Sequence, residues 1–590
     1  MIGTNLSKWP VLVALVTVLT ACSKQESNLD VQASAVDNSE KTAAINLKAV
    51  DLKKTETHVE EVLKQDPDFV QQLLASSVSS QSDMFNREAV IPPQCYTKTE
   101  GHFNPCYTCH QFTPRNQGRA NRMGDGELQD DYGFSDLGTT NHWLNLFEDR
   151  TERMAKISDA EIDEYVNYDN YSSLADRLMA QGWDAWYPDL KNLQLSEAAF
   201  DDQGFAKDGS GWVAFNYMPL PSTFWPTNGA TDDVMIRLAE NFQKNQQGEF
   251  DRDIYLLNLT IVEAAIKNFT ELTIPEIDEN TVGFDLNGDG RLSKTTTLKR
   301  PSNYLGGASD VQVKSFLYPR YTEFLHTIRY VGVRENGEIY TPPRMKEVRY
   351  MVKTEEHRKS TLGAFYAEEQ KDKLEGNLPR YASLGEKGLD NKFGWQLIGF
   401  IEDKNGELRQ QKFEENFFCM GCHTTIGSTI DQTFAFARKI DGAKGWGYLN
   451  LKGMPNVPMF GSDKSANFDY LERVGGGNEF RENEEIDARY FKHGQLDESS
   501  LAAVRDVYEL ITPSPERARA LNKAYKTIVD DQDYIYGRDA NIKPAVNVYR
   551  SIDTEIEPLE PEYRAAFDIR LDWSSVTGDN SNSPKVESRP

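Results

Sequence analysis

The sequence lacks an apolar run of membrane-spanning length anywhere after its extreme N-terminus. Hydrophobic residues make up 39% and charged residues 27% of the 590 positions, a balance typical of a globular protein in water. We therefore expect that the body of the protein does not cross a membrane. Because the chain is too long for one ordinary hydrophobic core, we also expect two or three domains.

Basic residues are in deficit. The chain has 65 Lys and Arg residues against 92 Asp and Glu residues, which gives a net charge of −27. Such a charge repels nucleic acid and anionic lipid, so neither is an expected partner. It favours docking to a basic protein partner instead.

The first 21 residues have the features of a signal peptide, with a short apolar core at 11–18 followed by the sequence L-T-A-C at 19–22. These four residues resemble the lipobox of bacterial lipoproteins, in which the Cys is acylated. Cys22 is therefore the predicted lipid anchor, and a soluble periplasmic protein is the alternative. Ser23 resembles the signal that sorts lipoproteins to the outer membrane, facing the periplasm or the cell surface.

Cysteine and histidine are scarce, with six and eight residues, so their arrangement is informative. Four cysteines form two Cys-x-x-Cys pairs, and a His follows each pair at once. Haem c is attached by this pattern, because the two sulfurs reach the two vinyl groups on one porphyrin edge and the His reaches the iron. The predicted cofactor-binding residues are Cys106, Cys109, His110, Cys419, Cys422 and His423.

A zinc site or a disulfide framework would use the same cysteines, but neither explains a His after both pairs. Phe413 and Phe417 lie four apart before Cys419, so an apolar helix face should lead into the second motif. Asn104 precedes a proline, which disfavours a helix entering the first motif, and a loop should hold it. Cys95 is expected to be a buried, inert thiol, with intermolecular pairing or sulfur ligation as alternatives.

Composition divides the chain into regions. Residues 22–50 are polar and nearly free of aromatic residues, so they should form a disordered tether, and a helix should begin near Leu52. The expected regions are a first haem c region at 51–190, a middle region at 191–405, a mainly helical second haem c domain at 406–580 and a disordered tail at 581–590.

The middle region should contain β-hairpins, because alternating stretches are followed by Asn-Gly turns at 336–337 and 405–406. After the second motif, Asp497 and Ser514 have the sequence context of helix N-caps. The last part of the chain should therefore be mainly helical.

The two attachment motifs, the lipobox and a Met-Pro segment together resemble bacterial di-haem c-type cytochromes. The resemblance implies a mainly α, multi-domain fold with a β-containing middle region and cytochrome c-like haem-binding regions near the N- and C-terminal parts. It also implies two covalent haems, with His110 and His423 as the proximal iron ligands.

The distal ligands decide whether an iron is closed, as in an electron carrier, or open, as in an enzyme. For the second haem, Met454 lies in a Pro-rich segment that resembles the loop delivering a distal Met, with Met459 and His493 as further candidates. For the first haem, His142 follows a polar loop long enough to cross the porphyrin. Core packing is the alternative for Met454, and a core or surface role is the alternative for His142.

Residues 285–296 have the ligand spacing of an EF-hand-type calcium loop. Thr296 replaces the bidentate Glu at the last position, so a metal-free turn is the alternative. The candidate ligands of a structural calcium ion are Asp285, Asn287, Asp289 and Ser293.

These features favour a protein that transfers electrons in the bacterial cell envelope through two haems, without catalytic residues. A di-haem peroxidase- or oxygenase-like enzyme with one open iron is the alternative, and the length of the chain favours it. A docking subunit of a respiratory complex is a third interpretation.

Overall fold

A computed structural model describes residues 85–111, 129, 132–222, 225–378, 380–477, 479–553, 556–564, 568–574 and 576. All of them belong to one compact unit, Val78–Pro590. A second unit, Met1–Ser77, lies outside the described residues, and so do Cys22, the predicted tether, the helix expected near Leu52 and the tail at 581–590. In the described part of the chain, every helix is too short or too polar to span a membrane.

An eight-stranded antiparallel sheet forms the centre of the described unit. The strands of the described residues are, in chain order, β1 (Val213–Ala214), β2 (Thr231–Arg237), β3 (Glu271–Asp278), β4 (Lys294–Lys299), β5 (Glu323–Arg329), β6 (Gly332–Val333), β7 (Ile339–Tyr340), β8 (Met345–Lys353), β9 (Ala382–Ser383), β10 (Leu389–Asp390), β11 (Trp395–Glu402), β12 (Leu408–Gln410), β13 (Phe491–Lys492) and β14 (Gln495–Leu496). The order across the sheet is β1-β2-β5-β8-β11-β10-β9, and β12 pairs with β11. The remaining strands form three antiparallel pairs, β3 with β4, β6 with β7 and β13 with β14.

The central strands β2, β5, β8 and β11 are almost continuously buried. Successive side chains point to opposite faces of a sheet. Phe324 and Met351 pack into an apolar cluster on one face, while Leu325 and Val348 pack into a second cluster on the other. The sheet is therefore covered on both sides, and one of its faces forms a wall of a candidate site.

The described residues form thirteen α-helices, many of them short. They are α1 (Thr151–Met154), α2 (Asp159–Val166), α3 (Leu174–Ala180), α4 (Ser196–Ala199), α5 (Arg252–Lys267), α6 (Glu279–Val282), α7 (Lys359–Leu374), α8 (Phe413–Phe417), α9 (Ala466–Val474), α10 (Glu484–Tyr490), α11 (Glu498–Ala502), α12 (Val507–Ile511) and α13 (Pro515–Asp531). Helix α5 is buried along nearly its whole length, since the core encloses it.

Local sequence signals located several elements correctly. Both Asn-Gly turns form hairpins, between β6 and β7 and between β11 and β12. Asp497 caps α11, and Ser514 caps α13 by accepting a hydrogen bond from the backbone N–H of Arg517 at 3.1 Å. These predictions are confirmed because a cap or tight turn depends on residues close in sequence.

The predicted fold class is wrong. The protein is not mainly α and its two Cys-x-x-Cys-His motifs do not lie in cytochrome c-like domains, because a large antiparallel sheet occupies the centre of the unit. β2 pairs with β5 and β8 pairs with β11 although these strands lie far apart in the chain, so neighbouring residues do not reveal the pairing. In β2 and β8, burial on both faces also removes the apolar–polar alternation by which a half-buried strand is recognised.

Candidate haem attachment sites

The first Cys-x-x-Cys-His segment contains a short 3₁₀ helix, Pro105–Thr108. Asn104 begins this helix, and its side-chain oxygen accepts a hydrogen bond from the backbone N–H of Tyr107 at 3.1 Å. The N–H of His110 donates to the carbonyl of Cys106 at 2.8 Å, which closes the turn. In the described residues no α-helix leads into this motif, as the Asn-Pro pair predicted.

The second segment has a helical approach. Helix α8 continues into the 3₁₀ helix Phe418–Gly421, and the rings of Phe413 and Phe417 stack with their centroids 5.8 Å apart. This confirms the apolar helix face predicted before Cys419. The N–H of His423 donates to the carbonyl of Cys419 at 2.9 Å, so the two motifs share the same local turn.

The two motifs are in contact although they are far apart in sequence. The N–H of Ser428, just after the second motif, donates to the carbonyl of Cys109 at 3.0 Å. A Cβ atom at Gly427 would collide with the carbonyl oxygen of Gln111, so the two backbones approach closely here. No sequence signal predicted this contact.

A cavity of about 280 Å³ lies where the motifs meet. It is lined by residues of the first motif, by residues of the second and by the remaining cysteine, among them Cys106, Cys109, His110, Met420, Thr424 and Cys95. The first candidate haem site is therefore built in part from the second motif.

A separate cavity lies between the second motif and the central sheet. Its lining is mostly apolar and includes Val234, Phe324, Met351, Leu397, Phe434 and Phe436, together with Cys419 and His423. The polar side chains in this lining are His326, Arg349 and Thr433. An apolar pocket with few polar groups is the usual lining of a cofactor site.

His423 is oriented by a backbone carbonyl. Its Nδ1 lies 2.8 Å from the carbonyl oxygen of Gln432 and donates to it, which leaves Nε2 as the nitrogen with a lone pair. Burial lowers the pKa of His423 to about 4. The imidazole is therefore neutral near pH 7, as an iron ligand must be.

The Gln432 carbonyl is held by a tight turn. Asp431 and Gln432 both have positive φ angles, of 51° and 60°, and Ile430 and Thr433 bridge the turn on either side. Two consecutive positive φ angles are characteristic of a type I′ turn, which ordinarily uses Asn and Gly. Two hydrogen bonds to the Asp431 carboxylate stabilise this strained turn. One comes from the ammonium of Lys353 and the other from the N–H of Tyr318.

These residues fit a covalently attached haem. Cys419 is buried against the apolar cavity, and burial raises the pKa of both Cys419 and Cys422, the latter to about 11. Cys419, the neutral imidazole of His423 and several aromatic side chains thus meet at one cavity, as a haem held by this motif would require.

A zinc site does not fit as well. In the described part of the chain, the one group of three or more His, Cys, Asp or Glu residues with ligand atoms within 4.8 Å of one another is Glu148, Asp531 and Asp533. Arg150 pairs with Glu148 and Asp531 at 2.8 and 2.7 Å, so this group is a neutralised ion cluster. The motif cysteines are not gathered around one point.

The structure places the candidate distal ligands as follows. Met454 packs in an apolar cluster with Leu510 and Trp573 and does not appear in the lining of either cavity. Met459 lies near the first motif, with its sulfur 3.9 Å from the amide nitrogen of Gln111. His493 sits at the exposed turn between β13 and β14.

His142, the candidate for the first haem, is also outside the cavity lining among the described residues. Its Nε2 lies 3.3 Å from the carbonyl oxygen of Leu137. Met454 and His142, the leading distal candidates, therefore do not line the cavities beside the two motifs.

Sequence reasoning missed His326 and Arg349. They are direct partners in the register of β5 and β8, and Val234 and Gly399 continue the same cross-strand row on β2 and β11. Direct partners in an antiparallel sheet point to the same face, here the cavity of the second motif. His326 lies in a stretch rich in strand-forming residues, which gives no indication of a functional site. The one feature that could have singled it out is that histidine is scarce in this chain.

The predicted calcium loop consists of turns in which carboxylate groups accept hydrogen bonds from backbone N–H groups. The Asp285 carboxylate accepts hydrogen bonds from the N–H groups of Gly288 and Gly290 at 2.7 and 2.8 Å. Glu279, which is fully buried, accepts from Leu286 and Ser293 at 2.6 and 2.8 Å. Calcium binding by Asp285, Asn287, Asp289 and Ser293 stays a prediction.

Comparison with known proteins identifies the family. A lipoprotein family model matches residues 78–493. An uncharacterized lipoprotein of Aquifex aeolicus (strain VF5) is 33% identical over 516 residues, which cover 77% of this chain and 86% of that protein. No solved structure matches the chain. The chain belongs to this lipoprotein family, which supports the predicted lipid anchor and a place in the cell envelope.

Proposed function

We propose that this lipoprotein binds two haems covalently and transfers electrons between redox partners in the cell envelope. The attachment residues would be Cys106, Cys109 and His110 for one haem and Cys419, Cys422 and His423 for the other. The observation that carries the proposal is the contact between the motifs. The Ser428–Cys109 hydrogen bond and the shared cavity lining would hold two attached haems side by side.

A bound haem supplies a one-electron redox centre. The chain contributes the rest. Cys419 and Cys422 would fix the porphyrin edge, His423 would present Nε2 to the iron, and the Gln432 carbonyl would hold the imidazole in one orientation. The mostly apolar lining of the second cavity would favour exclusion of water once a haem is bound, which would limit the reorganisation that accompanies electron transfer.

The surroundings of the protein belong to the same proposal. Acylation of Cys22 would tether it to the outer membrane, facing the periplasm or the cell surface, without a membrane-spanning segment. The charge of −27 would favour a basic redox protein as donor or acceptor. Calcium at the loop 285–296 would be structural.

The decisive experiment is a haem count on protein made in a host with a cytochrome c maturation system. Intact-mass spectrometry after acid–acetone extraction should show two retained haems per chain, and the reduced pyridine complex should give the same stoichiometry. A chain that retains one haem or none would overturn the proposal. Mixing the oxidised protein with a reduced basic cytochrome should then reduce both haems, and this reaction should slow as salt is added.

A further inference from the structure

The second cavity has a polar side opposite His423. His326 and Arg349 project from the centre of the sheet into this cavity, while His423 enters it from the attachment motif. The rest of the lining is mainly apolar, so these two side chains are the principal hydrogen-bonding groups on the sheet side. A haem held by Cys419 and Cys422 would have His423 on one face and the sheet on the other.

His326 is paired with a buried carboxylate. Its Nε2 lies 3.5 Å from an oxygen of Asp232, and the side chains of His326 and Asp232 are only 13% and 6% exposed. The Tyr217 hydroxyl donates a hydrogen bond to the same carboxylate and fixes its position. An imidazole with one nitrogen facing a carboxylate can take up or deliver a proton through the other nitrogen.

Arg349 keeps a fixed positive charge next to His326. Its Nε donates to a carboxylate oxygen of Glu347 at 2.9 Å, and Arg538 and Gln411 hold the same carboxylate at 2.9 and 2.8 Å. The arginine is thereby anchored at the sheet while it lines the cavity. Gly399, opposite Arg349 on β11, adds no side chain to this part of the row.

We propose that the sheet side of this cavity binds hydrogen peroxide at an open haem iron, with His326 and Arg349 as catalytic residues for its reduction. The proposal rests on the proposed function, since it requires a haem at the second motif. The overall reaction is one H₂O₂, two electrons and two protons to two water molecules. The electrons come from a reduced redox protein, one at a time.

The chain's part in the reaction is proton transfer and charge stabilisation. His326 would accept the proton of the peroxide oxygen nearest the iron and return it to the other oxygen, so that the O–O bond breaks and the outer oxygen leaves as water. The two electrons from the redox protein and two protons from solvent would then convert the inner oxygen to the second water. Arg349 stabilises the negative charge that develops as this bond breaks. Arg349 and His326 line one cavity, so a fixed positive charge lies beside a group that can transfer a proton, which is the pairing that cleavage of a peroxide bond requires.

The experiment uses the full-length protein with both haems and compares four variants. His326→Gln and Arg349→Leu remove the two cavity groups. His357→Gln changes a histidine away from both cavities, and Arg505→Leu changes an arginine whose side chain is 83% exposed, so these are the matched controls. Haem count and circular dichroism are measured first on every protein.

The first readout is ligand binding without turnover. Carbon monoxide should shift the spectrum of one of the two haems in the reduced parent protein, and cyanide should bind one ferric haem. The cyanide on-rate should fall at least about tenfold in His326→Gln, because the acid HCN must lose a proton on binding.

The second readout is the oxidation of the reduced protein by H₂O₂ in a stopped-flow instrument. Replacing His326 should slow this reaction by about 100-fold or more, and replacing Arg349 by about 10- to 100-fold, while both controls keep the parent rate. A parent protein that binds no carbon monoxide, with binding appearing only in His326→Gln, would show that His326 is an iron ligand and overturn the proposal. Unchanged rates in both cavity variants would also overturn it. A haem count below two in the parent would instead refute the proposed function.

Discussion

Nδ1 of His423 donates a hydrogen bond of 2.8 Å to the carbonyl oxygen of Gln432, a residue with a positive φ angle nine positions later in the chain. This one contact fixes the orientation of the imidazole over the second cavity. The turn that presents the carbonyl is held in turn by the ion pair of Asp431 with Lys353, whose side chains are 1% and 2% exposed. The central sheet, through β8, thus supports the second motif.

Lys353→Met should therefore destabilise the protein by about 3–5 kcal/mol, because it leaves the Asp431 carboxylate buried without its cation. Unfolding by guanidinium chloride measures the change. The double variant Lys353→Met/Asp431→Leu should lose less than the sum of the two single variants, since neither charge then remains unpaired. Lys464→Met, which breaks an exposed ion pair with Glu472, is the matched control and should cost less than about 1 kcal/mol.

The same turn explains which parts of the second site could be predicted. The Cys-x-x-Cys-His motif and the helix before Cys419 follow from short sequence patterns. The Asp431–Gln432 turn does not, because neither residue is the Gly or Asn that usually marks a positive φ angle. Its conformation depends on Lys353, which is distant in sequence. Local rules therefore locate the motif but not the residues that orient it.

The residues on the sheet side of the site could not be predicted from the sequence for a similar reason. The row from Val234 through His326 and Arg349 to Gly399 exists only when four separate strands pair in one register. Each strand taken alone has no feature that specifies its partner, because register depends on the whole buried face. The two hairpins were predictable because each joins strands across a turn of a few residues.

The two attachment sites should be separable. Replacing Cys106 and Cys109 by Ser should remove one haem and leave the other on Cys419 and Cys422, because each motif supplies its own two thioethers. Intact-mass spectrometry gives the number of haems directly. Cys95→Ser is the control, since this cysteine lines the first cavity without belonging to a motif, and it should retain both haems. Loss of both haems from the Cys106/Cys109 variant, with the fold intact, would contradict independent attachment.

The lipid anchor should be separable from the cofactor sites. Cys22→Ser should prevent acylation and release the protein in soluble form with both haems attached, because Cys22 and the two motifs lie in different parts of the chain. Fractionation of cells into soluble and membrane material, followed by in-gel haem staining, measures both properties. Continued membrane association of this variant would show that another segment binds the membrane.

A buried lysine should make the stability of the protein depend on pH. The ammonium of Lys346 donates to the carbonyl of Gly229 at 2.6 Å and lies 4.1 Å from the ring centre of Tyr525. The lysine has no carboxylate among these contacts. Burial lowers the pKa of Lys346 to about 7.

In the unfolded chain this pKa returns to about 10.4. Between pH 7 and about 10 the unfolded chain therefore binds more protons at this position than the folded chain does. The free energy of unfolding should rise with pH through this range, by up to about 1.4 kcal/mol per pH unit. This pH-dependent gain in the free energy of unfolding is fully present above the pKa of the unfolded chain, and it is lost as the pH falls to about 7.

Lys346→Met removes this term, so the variant should gain most stability relative to the parent at pH 7 and below, and the difference should shrink as the pH rises to 9. Guanidinium chloride unfolding of both proteins at pH 6, 7, 8 and 9 measures it. Lys452→Met changes an exposed lysine and should leave the pH profile of the parent unchanged in shape. Because other groups titrate in the same range, the comparison rests on the difference between parent and variant. A difference that stays constant from pH 7 to pH 9 would show that Lys346 remains charged in the folded protein, with Gly229 and Tyr525 supplying enough stabilisation to offset its burial.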